Sequence, residues 1–372
     1  MILVTGGTGF VGEEVVRELL ARGYRVRLLV RHSLPSSLKD RLGIEIIRGD
    51  VLKPETLPAA MAGVQAVIHL IGIIAETSRV TFEQAHIDAT RHVVDAAKQA
   101  GVTRYIQMSA EGTRAEAISR YHRTKWEAEE LVRRSGLDWT IFRPSLIYGY
   151  DERDRLLNLL RRVLSWPLDF FQLYTFPLLD DGRALVQPVS VCEVAHCFAG
   201  AVAKEEAIGQ TYDLVGPTAL SWRAMVTKMA VALGCGVVEK RIALAFVTRI
   251  LLWLVALLVP IVAVVGLILG RLDFMSAEIL VGIGFVLLLI AVRSTRLIIF
   301  SIPSGLLQVV SRVWEKVAPR GLRFGEQLKM AVEDNVSDPQ PAARTFGYVP
   351  ESFDQGLARL LSGQAGPFVT KV

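Results

Sequence analysis

Along the first 145 residues, short apolar runs alternate with longer amphipathic stretches. Ile2–Thr5 reads as a strand, and a helical period follows it through Leu20. Over Arg25–Val30, alternation places Val26, Leu28 and Val30 on one face of a second strand. Further strands are expected at Ile44–Ile47, Ala66–Ile71, Tyr105–Met108 and Trp139–Phe142, separated by helical stretches such as Phe82–Gln99. This rhythm predicts a parallel sheet covered on both faces.

The pattern changes further on. Ile250–Gly270 is 21 consecutive residues without a charge, interrupted by Pro260. As a helix it would span roughly 30 Å, the thickness of a bilayer core. Ile279–Val292 adds 14 uncharged residues, or 19 from Phe274 if Glu278 is accepted. A pair of buried core helices would account for these runs, but their succession across a short link favours a transmembrane hairpin. Lys240, Arg241 and Arg249 precede it, Arg293 and Arg296 follow, and the link carries Arg271 and Asp273. By the positive-inside rule both flanking parts face the cytoplasm, which predicts a multi-pass protein of the cytoplasmic membrane with the bilayer as a partner. Met1 runs directly into a strand pattern, so no signal peptide is expected.

Composition fits this division. The 372 residues are 51% hydrophobic and 21% charged, with a mean hydropathy of +0.38. Such a chain is neither disordered nor a small disulfide scaffold. Cys192, Cys197 and Cys235 form no C-x-x-C pair, and the six histidines lack ligand spacing, so no metal site is expected. The net charge of +5 is too diffuse to imply nucleic acid.

Candidate chemistry begins at Gly6, Gly9 and Gly12, spaced G-x-x-G-x-x-G between the first strand and its helix. Glycines there let the backbone approach a pyrophosphate, and the helix N-terminus attracts the anion. The second strand ends in Val30-Arg31-His32 without a carboxylate, which favours NADP(H) over NAD(H), with Arg31 as the reader of the 2′-phosphate. Asp50, with Val51 beside it, is placed to meet the adenine, and Gly72 to let the backbone pass the cofactor. Ser109 ends a later strand, and Tyr121 and Lys125 lie four apart on one helix face. A phenol of pKa near 10 needs such an ammonium to work as an acid/base near neutrality, while the serine orients a carbonyl.

With these residues the chain resembles the short-chain dehydrogenase/reductases of the extended or atypical kind. Thr5-Gly6-Gly7-Thr8-Gly9-Phe10-Val11-Gly12 matches their nucleotide loop, which implies cofactor contacts at Thr8, Phe10 and Val11 as well. Ser109, Tyr121 and Lys125 fall on their Ser–Tyr–Lys set, in which the lysine also holds the nicotinamide ribose. Arg143-Pro144-Ser145-Leu146-Ile147-Tyr148-Gly149 resembles the stretch passing the nicotinamide, which implicates Pro144. Val186-Gln187-Pro188-Val189-Ser190-Val191 and Glu333-Asp334-Asn335-Val336 resemble the branch containing the nucleotide-binding accessory subunit of respiratory complex I. His86 stands where extended members commonly carry asparagine.

The resemblance implies an α/β architecture: a Rossmann doubly wound parallel sheet and a smaller C-terminal substrate domain, here carrying the inserted hairpin. The expected divisions are 1–150 for the nucleotide domain, 151–241 and 297–372 for the substrate domain, and 242–296 for the insertion. Arg155–Leu179, rich in leucine and aromatic residues, is expected to cover the cleft or to meet lipid. Two functions stand open. One is an NAD(P)-dependent oxidoreductase, epimerase or dehydratase acting on a lipophilic carbonyl, quinone or isoprenoid. The other is a non-catalytic accessory or assembly subunit of a membrane protein complex.

Overall fold

A computed structural model describes residues 1–31, 44–149, 173–232, 236–238, 296–302 and 325–362, together with 258–259, 261–262, 279 and 305. The strands are β1 (Ile2–Thr5), β2 (Val26–Val30), β3 (Ile44–Arg48), β4 (Ala66–His69), β5 (Arg104–Met108), β6 (Asp138–Pro144) and β7 (Ile147–Tyr148). They continue with β8 (Leu173–Leu179), β9 (Leu185–Val186), β10 (Val189–Ser190), β11 (Gln210–Leu214), β12 (Leu220–Ser221), β13 (Gly236–Val238) and β14 (Arg296–Ile302). The helices are α1 (Phe10–Ala21), α2 (Leu57–Met61), α3 (Ala89–Gln99), α4 (Arg120–Arg133) and α5 (Val191–Gly200). Four follow: α6 (Trp222–Ala232), α7 (Gly325–Ala331), α8 (Gln340–Phe346) and α9 (Phe353–Leu361).

A seven-stranded sheet runs in the order β11-β6-β5-β4-β1-β2-β3, with every neighbouring pair parallel. All four β1 residues are buried, as a strand covered on both faces requires. On one face Val4, Leu28, Ile68, Ile106 and Phe142 pack with Val15, Val16 and Leu19 of α1 and with Val194 and Phe198 of α5. On the other, Leu3, Val67, Tyr105 and Ile141 pack with Leu57 of α2 and with Val93 and Ala97 of α3. Each large side chain so buried contributes about 1.5–3 kcal/mol. Strand order reverses between β1 and β4, and ligands of such sheets lie outside the strand ends at that reversal.

The chain divides into two units: Met1–Arg155, Gly182–Trp222 and Pro303–Val372 form the first, and Leu156–Asp181 with Arg223–Ile302 the second. In the first unit the Glu333–Val336 stretch returns to β9: Asn335 N–H donates to Leu185 O at 2.9 Å, and Leu185 N–H to the Asp334 carboxylate at 2.8 Å. Described parts of the second unit include the parallel sheet β13-β14-β8.

The inserted transmembrane hairpin is corrected. No helix among the described residues is long and apolar enough to cross a membrane. Most of 242–296 lies outside the described residues, as does Arg155–Leu179 up to residue 172. The physical reason is legible in the run itself. Pro260 lacks the N–H that a continuous helix needs, and 14 residues span only about 21 Å of helix against a core of about 30 Å. The multi-pass placement in the cytoplasmic membrane, and the bilayer as a partner, rested on that hairpin and are withdrawn with it. What stands is the parallel α/β sheet with a second, smaller unit.

Candidate functional site

The turn from β1 into α1 is built for close approach. Gly6 has φ +77°, a conformation that disfavours any side chain. A Cβ at Gly12 would strike the Gly6 carbonyl and come within 2.6 Å of Gly7 Cα, and one at Gly7 would lie 2.6 Å from Leu28 Cδ2. These two glycines therefore seat helix on strand. Gly9 caps α1 without a side-chain hydrogen bond, leaving the first-turn N–H groups without that acceptor.

The loop opens on a cavity of about 270 Å³ lined by Gly6, Thr8, Arg31, Asp50, Val51 and Gly72, with Ile71 and Ile73 along its β4 side. Asp50 Oδ1 accepts from Leu52 N–H at 3.1 Å, and Asp50 N–H donates to the Thr56 hydroxyl at 3.0 Å. Beside it, Arg31, Arg48 and Lys53 line a second hollow of about 320 Å³ with Gly49, Asp50 and Thr56. Three cations thus converge with one carboxylate. A glycine cradle, a helix N-terminus and a cationic hollow together fit a dinucleotide.

The other wall of the site comes from α4. Lys125 is buried, and its Nζ donates to Met108 O at 3.1 Å. A Cβ at Gly72 would lie 2.8 Å from that Nζ, so this glycine makes room for the ammonium itself. Burial pushes the ammonium down to about 8, opposed by the Glu129 carboxylate one turn on. Glu129 is held by Arg143 at 2.8 and 2.6 Å and by Arg133 at 2.6 Å. The Tyr121 ring meets His86, Phe82 and His122 edge-on, with centroids 5.4, 5.9 and 5.1 Å away. Ser109 is buried, and its hydroxyl donates to Thr113 Oγ1 at 3.4 Å. On β4, the His69 Nδ1 is 2.6 Å from Thr5 Oγ1. Burial, then the nearby Lys125 charge, pushes its imidazole down to about 3, and the same causes hold His86 well below its ordinary range.

Gly6, Thr8, Arg31, Asp50, Val51 and Gly72 thus share the cavity wall, and Lys125 adjoins it through Gly72. Gly9, Phe10, Val11 and Gly12 belong to the start of α1 and are not among the residues lining the cavity. Pro144 ends β6, where its carbonyl accepts from Glu111 N–H at 3.0 Å, and it does not line the cavity. Arg48 and Lys53 were absent from the sequence expectation. The signal was available in the register: Arg48 pairs with Val30 across β2 and β3, so Arg31 and Arg48 leave adjacent strands at the same edge.

Residues 6–158 match the family described as NAD(P)H-binding. The chain is 35% identical over 222 residues to NADH dehydrogenase [ubiquinone] 1 alpha subcomplex subunit 9, mitochondrial, of Arabidopsis thaliana, covering 58% of this chain and 53% of that protein. It therefore spans about half the length of that relative. Over 246 residues it is 28% identical to 4-hydroxy-2-methyl-3-oxo-4-farnesyl-3,4-dihydroquinoline-1-oxide ketoreductase of Stigmatella aurantiaca, covering 60% of this chain and 70% of that one. Among solved structures, dTDP-glucose 4,6-dehydratase DesIV of Streptomyces venezuelae, a double mutant with NAD bound, shares the fold at a TM-score of 0.63 and 20% identity, covering 97% of this chain and 96% of that one. Residues 6–158 thus carry the similarity to NAD(P)H-binding proteins, and the sheet order of the same part is that of a Rossmann-like parallel α/β sheet.

Proposed function

We propose that the protein is an NADP(H)-preferring oxidoreductase acting on a lipophilic carbonyl, of the quinone or isoprenoid class. The observation that carries this reading is the buried Lys125 ammonium against Gly72, one helical turn from Tyr121 and adjoining the nucleotide cavity. Gly6, Thr8, Asp50 and Val51 would hold the adenosine and pyrophosphate, and Arg31, Arg48 and Lys53 the 2′-phosphate. The cofactor supplies or accepts a hydride when bound. Lys125 fixes a positive charge beneath the site, which favours the ionised form of a neighbouring phenol. Tyr121 passes a proton to or from the substrate oxygen, and Ser109 polarises that oxygen. Epimerase or dehydratase chemistry would use the same frame. The farnesyl-bearing substrate named for the ketoreductase relative supports the lipophilic class. Purified protein assayed with NADPH against a panel of quinones and isoprenoid ketones should oxidise the cofactor, and Tyr121→Phe should lose turnover while keeping cofactor affinity. No oxidation with any member of the panel would count against the enzyme.

A second reading, a nucleotide-binding accessory or assembly subunit of a membrane complex, is favoured by the Ser109 hydroxyl, buried and committed to Thr113. The name of the plant relative supports it too. Under this reading NADPH binds and stabilises the fold, and Tyr121→Phe leaves the protein's role in the cell intact.

A further inference from the structure

We propose that His86 is a positioning residue: it clamps the Gly72–Ile73 backbone, the floor of the nucleotide cavity, to the helix carrying Tyr121 and Lys125. The proposal deepens the oxidoreductase reading, because the two surfaces it joins are the cofactor wall and the acid/base helix of that same site.

The clamp begins in the backbone. Residues Glu83–Asp88 form a π-helical segment ahead of α3. Such a segment closes hydrogen bonds over five residues rather than four, which shifts the direction of the side chains it holds. Here it presents His86 inward, 1% exposed. Phe82 stacks on the ring at 5.5 Å, and Tyr121 meets it edge-on at 5.4 Å.

Both ring nitrogens are engaged, and they reach in opposite directions. Nδ1 lies 2.8 Å from the Thr124 hydroxyl, next in sequence to Lys125. Nε2 lies 3.2 Å from Ile73 N and 3.1 Å from Ile73 O. A neutral imidazole carries one donor and one acceptor, so in either tautomer it bridges α4 to the loop after β4. Thr124 is itself anchored, with its hydroxyl 3.0 Å from Arg120 O and 3.0 Å from Tyr121 O. The distance the bridge governs is short: a Cβ on Gly72 would sit 2.8 Å from Lys125 Nζ and 3.6 Å from His86 Cδ2. Without the bridge nothing polar ties Ile73 to α4 through this ring, and the gap between cavity floor and ammonium is no longer set by it.

The test uses the full chain and two readouts: the NADPH dissociation constant from titration, and backbone hydrogen exchange across Ile71–Ile74 without cofactor. His86→Phe keeps a ring between Phe82 and Tyr121 but removes both nitrogens. Thr124→Val removes one anchor and leaves the imidazole in place, so it reads the clamp independently of how His86→Phe folds. Each should weaken NADPH about tenfold and speed exchange at Gly72–Ile73, the loss expected of a broken buried hydrogen bond. The double variant should lose no more than His86→Phe alone, because the two residues act as one bridge. His86→Gln, which restores an amide donor and acceptor, should recover most of the affinity. Wild-type exchange and affinity in His86→Phe and Thr124→Val, or losses that multiply in the double variant, would overturn the proposal. Failure of the parent protein to bind NADPH would sink the oxidoreductase reading, whereas unchanged exchange at Gly72–Ile73 would sink the clamp.

Discussion

Gly12 has no room for a methyl group. Its Cβ would strike the Gly6 carbonyl oxygen and lie 2.6 and 2.8 Å from Gly7 Cα and C, and backbone cannot rotate away as a side chain can. Gly12→Ala should therefore lower stability by about 1–3 kcal/mol, the usual cost of overpacking, and abolish saturable NADPH binding. Gly9→Ala, whose Cβ meets Gly6 O at 3.3 Å, should be milder on both counts. Denaturant titration and cofactor titration on the pair check this. Arg31, Arg48 and Lys53 form one electrostatic unit around the second hollow. Replacing Arg31 with Ala should weaken NADPH about 10–100-fold and leave NADH nearly unchanged, since each charged hydrogen bond is worth about 1.5–3 kcal/mol. Lys53→Ala should act in the same direction. Equal losses for both cofactors would show that these cations do not read the phosphate.

Lys125 makes a prediction with two opposite signs. Its ordinary value is 10.5, and burial brings the folded value to about 8. Between those values the unfolded chain holds a proton that the folded chain has shed, so this group's contribution makes stability rise with pH across that window. Turnover that needs the ammonium falls over the same rise, beginning near pH 8. Melting curves and pH–rate profiles of the parent and of Lys125→Met separate the two, because the variant loses both dependences. At this scale the sequence displays the glycine spacing, the tyrosine–lysine interval and Arg31. It did not show that Gly72 makes room for Lys125 rather than only for a ligand, since that depends on a contact between residues 53 positions apart in the chain.

The elements were legible where hydrophobic period and strand burial agree. The expected strands over Ile2–Thr5, Arg25–Val30 and Ile44–Ile47 correspond to β1, β2 and β3 with ends moved by a residue at most; β1 and β2 are buried throughout, while β3 at the sheet edge keeps its apolar residues only partly covered. β11 was not expected: Gln210–Leu214 offers only Tyr212 and Leu214 as apolar residues, and it sits at the sheet edge, where only one side has a neighbour. The π-helical segment at Glu83–Asp88 was also invisible, as its residues carry an ordinary helical composition. Capping was there to be read. Ser190 and Glu193 form a capping box on α5, each accepting from the other's backbone. Val194 and Phe198 of that helix lie in the core against the sheet. Ser190→Ala should cost about 1 kcal/mol in chemical denaturation and leave the NADPH dissociation constant unchanged. A shift in affinity would mean that α5 is coupled to the nucleotide site.

For the molecule as a whole, the nucleotide half follows from local rules, because βα units place their loops at one edge of a sheet whatever lies beyond. Gly6, Arg31, Asp50 and Gly72 come from four different strand ends and still share one wall. No helix among the described residues is long and apolar enough to cross a membrane, and most of the apolar stretch over 250–292 lies outside the described residues. This edge is expected to bind a phosphorylated dinucleotide through the cations at the ends of β2 and β3. Calorimetric titration of the full chain with NADPH and NADH at one salt concentration tests it most directly. The expected result is saturable binding of one NADPH per chain, at least tenfold tighter than NADH, lost in Gly12→Ala and levelled in Arg31→Ala. Absence of saturable binding by either cofactor, or a preference for NADH that survives Arg31→Ala, would contradict it.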